Sequence, residues 1–257
     1  MCNRSHFVDT QSVVRKIWGK SDTILFIFAA AAAEFALNKA VDWLYFTGRL
    51  PADPVGRLFS TVTYARAIVF SKKDDAFRAI DSMTAIHAQV EAKRQARIPD
   101  WAYRDVLSML IDYSIRSYEL LERKLTPGEK EEVFHIFTRV GQRMNLAGLP
   151  ESFSGWEAMR HAQLQTNLQY SKFTEDLFRQ YRKHLGGFRF AILLEAQALM
   201  APEPVVKNLA LRKGIGIHII IVLYKMMRLI KADRILKTIL LPSRYRKQIL
   251  ALDSSSS

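Results

Sequence analysis

His87 is the residue whose type and setting could hold a metal ion or carry a proton. It lies in TAIHAQVEAKRQARIPDWAYRD, residues 84–105. If that run is helical, Ile80, Met83, Thr84, Val90 and Glu91 share its face. Three of these are apolar, so His87 faces inward, and Glu91 stands one turn on, within reach to orient or charge the ring. A buried imidazole needs a partner for each nitrogen. Two readings stand: a core histidine satisfied by its neighbours, or a ligand.

The segment DPVGRLFSTVTYARAIVF places Arg57, Thr61, Tyr64 and Ile68 along one face. An arginine on an interior-facing row suits an anionic group such as a carboxylate or propionate, and Thr61 adds a hydroxyl one turn later. The alternative is a salt bridge from Arg57 to Glu34 or Asp42 on the preceding helix. The other histidines say less. His6 sits near the N-terminus, and His135 lies in a surface row with Glu131, Glu132 and Arg139. His161 and His184 stand alone, and His218 lies on an apolar run. There is no HExxH, and no two histidines are four apart. The paired ExxH of a di-iron bundle is also missing. If iron is bound, so sparse a donor set favours haem held by one or two axial side chains.

The elements that must position these residues all read as helix. Periodicity predicts helices over 10–20, 23–46, 54–70, 75–95, 99–124, 126–146, 152–167, 171–185 and 188–200. A further helix opens at Pro202 and Pro204 and is interrupted at Gly214 and Gly216, and 217–231, 232–240 and 243–251 complete the chain. Asp53-Pro54 and Thr126-Pro127 with Glu129 are helix starts. Ser71 or Asp74 caps the helix over 75–95. No strand alternation, internal repeat or phosphate-type glycine loop is present. The expectation is an all-α, single-domain helical bundle enclosing a central cofactor or ligand cavity.

The chain has 257 residues and a formal net charge of +13. Its one cysteine, Cys2, excludes an internal disulfide and a thiolate metal cluster. Basic residues crowd the end of the chain in KNLALRKG, KMMRLIKADRILK and SRYRKQ. They alternate with Leu, Ile and Met. This suits a solvated basic face, or amphipathic helices over 202–251 resting on anionic lipid, better than a nucleic-acid groove. The stretch 24–46 is long enough to span a bilayer, but Glu34, Asn38, Lys39 and Asp42 interrupt it. Each charge at the bilayer centre costs about 2.5–3.5 kcal/mol. These four are expected to form one polar seam inside the protein. No signal peptide is evident, and the tail 253–257 is expected to be disordered. The expected location is cytoplasmic, peripheral on a membrane.

The segment GRLFSTVTYARAIVFSKKDDAFRAIDSMTAIHAQVEAK resembles the rubber oxygenase (latex-clearing protein) and MpaB-type oxygenase superfamily, a DUF2236-type helical domain. AEFALNKAVDWLYFTGRLPADPVGR and LTPGEKEEVFHIFTRVGQRMNLAGLPESFSGW are similar to its flanking parts, so the core resemblance covers 24–165. It implies a b-type haem within the bundle, with His87 of Ile-His-x-x-Val as the iron ligand and Arg57 and Thr61 lining the pocket. The rubber-cleaving branch has a lysine immediately before that threonine, where this chain has Ser60. Many relatives have Trp-x-His where this chain has Trp101-Ala102-Tyr103, so Tyr103 joins the catalytic candidates. Glu34 and Asp42 are acid/base candidates by helical placement. The implied function is haem-dependent cleavage or oxidation of a carbon–carbon double bond of an apolar, prenylated or terpenoid substrate with O2. The alternatives are a non-catalytic haem- or lipid-binding accessory protein and a helical scaffold.

Overall fold

The computed structural model describes residues 5–48, 52–212, 214 and 216–229, and for Leu58 and several residues of the last helix the backbone alone. The second half of the basic C-terminal region and the tail 253–257 lie outside the described residues. So does the side chain of His218. Eleven helices are described: α1 (Val13–Trp18), α2 (Ser21–Leu37), α3 (Val41–Phe46), α4 (Pro54–Phe70), α5 (Lys73–Arg94), α6 (Asp100–Leu121), α7 (Pro127–Arg143), α8 (Phe153–Thr166), α9 (Lys172–Met200), α10 (Glu203–Asn208) and α11 (Gly216–Leu229). Among the described residues there is no strand, only the isolated bridges His6–Lys72 and Asn38–Leu168. The all-α bundle expected from periodicity is what forms.

Helix α2 is apolar on nearly every side and buried along most of its length. A helix of that kind belongs in the middle of a bundle, and α2 packs chiefly on α6 and α9. The main core joins Trp18, Ile24, Ile27, Tyr113, Phe134 and Phe137. Local signals start the helices as predicted: Asp53 accepts from the Gly56 N–H, and Thr126 and Glu129 form a capping box on α7.

Several boundaries differ from the sequence reading. The single helix expected over 23–46 is two, because Asn38 leaves the helix with extended backbone (φ −66°, ψ 133°). Its side chain accepts from Ala40 N at 2.8 Å and donates to Asp105 Oδ2 at 2.7 Å. The chain is pinned there to the segment after α8 through Lys39 N–Asn167 O and Gln169 N–Leu37 O. Glu34 and Asp42 therefore belong to different helices and not to one polar seam. The residue preceding α5 is Lys72, with no side-chain cap bond, in place of Ser71 or Asp74. Helix α7 stops at Arg143, short of Gly148. The break predicted at Gly186-Gly187 is a kink within α9, where Gly186 takes φ 74°. Among the described residues no helix is long and apolar enough to cross a membrane.

Candidate functional site

His87 projects from the inward stripe of α5 that includes Ile80, Met83, Thr84, Val90, Glu91 and Arg94. It is half-buried, as the spacing required. Its Nδ1 is buried and has no hydrogen-bond partner among the described residues. Burial pushes the imidazole pKa below its ordinary 6.5; the positive charge of Arg57 adds to this, and Glu91 opposes it. The ring is therefore neutral at pH 7, the form in which imidazole ligates a metal.

Tyr103, on the first turn of α6, stands edge-on to His87 with ring centroids 5.2 Å apart and planes at 76°. Its hydroxyl donates to Glu91 Oε1 at 3.4 Å, and the same oxygen accepts from Ile98 N at 2.9 Å. Glu91 thus ties the α5–α6 connection to the helix that carries His87. Burial, and then Glu91, raise the Tyr103 phenol well above its ordinary value, so it stays protonated. Arg57 donates to Ser60 Oγ at 3.0 Å. The hydroxyls of Ser60 and Thr61 both turn back onto the Arg57 carbonyl, at 2.7 Å and 3.3 Å. His87 and Tyr103 are thus brought together, and Arg57, with Thr61 one turn along α4, is near enough for its charge to act on the imidazole.

Glu34 and Asp42 lie elsewhere. Glu34, 2% exposed, accepts from Tyr113 Oη at 2.6 Å and from Arg160 Nη2 at 2.6 Å. Arg160 also donates to Asp112 Oδ2 at 3.0 Å, and Asp112 accepts from Arg116 Nε at 2.6 Å. Burial alone would lower the Arg160 guanidinium; the carboxylates of Glu34 and Asp112 raise it above its ordinary value. Nearby, burial raises Asp105, while donors from Asn167 and Asn38 pull it back. These polar groups fill the space between α2, α6 and α8. Among the described residues there is neither a haem pocket already formed nor a group of three or more potential metal ligands. Asp42 pairs with Arg94 at 2.6 Å.

Sequence reading missed Arg160 and Arg94 as the partners of these two carboxylates. A signal existed for the first: Trp156, Arg160 and Gln163 fall at helical spacing on one face of α8, and all three are buried. Nothing local marked Arg94, whose partners come from α3.

The chain matches the family model described as ER-bound oxygenase mpaB/B'/Rubber oxygenase, catalytic domain, over residues 15–248. No curated protein and no solved structure gives a match. The matched span is most of the chain, and the protein belongs to this family.

Proposed function

We propose that this member of the MpaB and rubber oxygenase family is a haem-dependent oxygenase. It cleaves or oxidises a carbon–carbon double bond of an apolar, prenylated or terpenoid substrate with O2. The observation that carries the reading is His87, an inward-facing neutral imidazole with one buried nitrogen lacking a partner. Haem asks the protein for one or two axial donors and no wider ligand cluster, so this donor set fits it. When bound through His87, b-type haem supplies the redox chemistry of O2. Arg57, whose charge acts on the imidazole, anchors a propionate, and Thr61 offers a hydroxyl one turn along.

The remaining candidates position the site. Tyr103 packs on the His87 ring and, tied to Glu91, restrains its orientation. Both oxygens of Glu34 are engaged by Arg160, and Asp42 is held by Arg94, so in this reading the two carboxylates fix geometry. An apolar substrate drawn from a membrane suits α11, which exposes Ile219, Val222 and Met226 at spacings of three and four, beside exposed Lys225. The same stripe suits a lipid-binding accessory protein, and carbonyl products from a panel of prenyl substrates would decide against that alternative.

The visible spectrum of the purified protein, with and without dithionite, tests the haem reading. A Soret band that is lost in His87→Ala is expected. A colourless, fully folded protein after haem supplementation overturns it.

A further inference from the structure

Two polar atoms on the inward face of α5 are buried without a hydrogen-bond partner among the described residues: His87 Nδ1 and Arg94 Nη1. Seven residues separate them. They therefore lie on one side of the helix, two turns and roughly 10 Å apart along its axis. The surroundings of Arg94 fix its guanidinium in plane and direction. Nη2 donates to Asp42 Oδ2 at 2.6 Å. The guanidinium carbon lies 4.0 Å from the Trp43 ring centroid and 5.6 Å from that of Phe46. All three partners come from α3, so one short helix holds the arginine. Asp42 takes one donor of the fork, and Nη1 is left without an acceptor. A buried donor left unmet costs about 1–3 kcal/mol, and a guanidinium fork matches a carboxylate in shape and charge. Glu91, the carboxylate one turn from His87, already accepts from Ile98 N and from the Tyr103 hydroxyl.

We infer that Arg94 Nη1 is an anion-binding donor for the carboxylate of a ligand whose body lies along α5 against His87. The inference rests in part on the haem reading, because the carboxylate has two sources: a haem propionate, or the acid end of an apolar chain. Arg94 and His87 then meet the ligand from one face of α5, and α3 is the element that aims the guanidinium.

The test uses the full-length apoprotein as wild type, Arg94→Gln and Arg94→Lys, each checked for helicity by circular dichroism. Each is titrated with hemin and with hemin dimethyl ester, read at the Soret band, and with a dansylated undecanoate, read by fluorescence. Arg94→Gln is expected to weaken a carboxylate ligand by about tenfold or more, with part restored in Arg94→Lys. Weaker binding of hemin but not of its ester assigns the propionate. Weaker binding of the undecanoate assigns an acid-ended chain. If that loss occurs while no variant takes up hemin, the haem reading fails and the Arg94 assignment stands. Wild-type affinity of Arg94→Gln for hemin and undecanoate overturns it, as does a wild type that binds neither. Should Arg94→Gln not fold, a wild type that binds hemin no better than hemin dimethyl ester, and the undecanoate no better than its methyl ester, overturns it equally.

Discussion

The imidazole of His87 stands edge-on to the phenol of Tyr103, 5.2 Å between centroids, although the two residues lie on different helices. Edge-to-face pairs contribute about 0.5–1.5 kcal/mol beyond the area they bury. Tyr103→Ala should therefore cost about 1–2 kcal/mol in urea unfolding. Tyr103→Phe keeps the ring and loses only a long hydrogen bond to Glu91, so it should stay within about 0.5 kcal/mol of wild type. Equal losses in the two variants would mean that the hydroxyl, not the ring, carries the contact.

The pKa of His87 is lowered in the folded protein, chiefly by burial and then by Arg57. The unfolded chain then binds the proton more readily than the folded one. Stability from this group is complete above the ordinary pKa of 6.5 and is lost as pH falls from there through the folded value. Unfolding measured between pH 7.5 and about 5 should show that decline, and His87→Gln should flatten it. An imidazole NMR titration of His87 centred above 6.5 would contradict the sign.

Arg160 is buried between the carboxylates of Glu34 and Asp112. Removing it in Arg160→Met leaves both without their shared cation, at a cost of about 3–5 kcal/mol. Arg160→Lys keeps the charge but not the fork and should fall between Met and wild type. Denaturant midpoints at pH 7 check the order, and a Met variant as stable as wild type would show that the network is dispensable.

Gly186 takes φ 74°, and a Cβ added there would meet nothing within 4 Å, whereas its neighbour Gly187 has equal space and no positive φ. Gly186→Ala should thus cost about 1 kcal/mol from backbone conformation alone. Gly187→Ala, in a helix, should gain about 0.5–1 kcal/mol. Thermal melts of the pair check this, and the same sign for both would argue against the kink.

Replacing Ile219, Val222 and Met226 together by Gln should weaken co-sedimentation with vesicles containing phosphatidylserine by about tenfold or more. Unchanged binding would remove α11 from any membrane contact.

Much of the fold was legible because helices are encoded over three or four residues. The capping box at Thr126 and Glu129, the Asp53 cap, the break at Gly186 and the inward stripe through His87 all follow from such spacing. The boundary at Asn38 was not legible. An asparagine among alanines and leucines reads as a tolerated helix residue until Asp105 and Asn167 are known to engage it and its neighbours.

By itself the sequence determined the helical class, the family and the placing of His87 on an inward face, because periodicity and motif spacing are local properties of the chain. Only the tertiary structure decided what those faces meet. It gave Glu34 to Arg160, 126 residues away, and Asp42 to Arg94, 52 residues away. It also set Tyr103 against the His87 ring. A buried charge takes whichever opposite charge the packing brings to it, and packing joins residues that no local pattern relates.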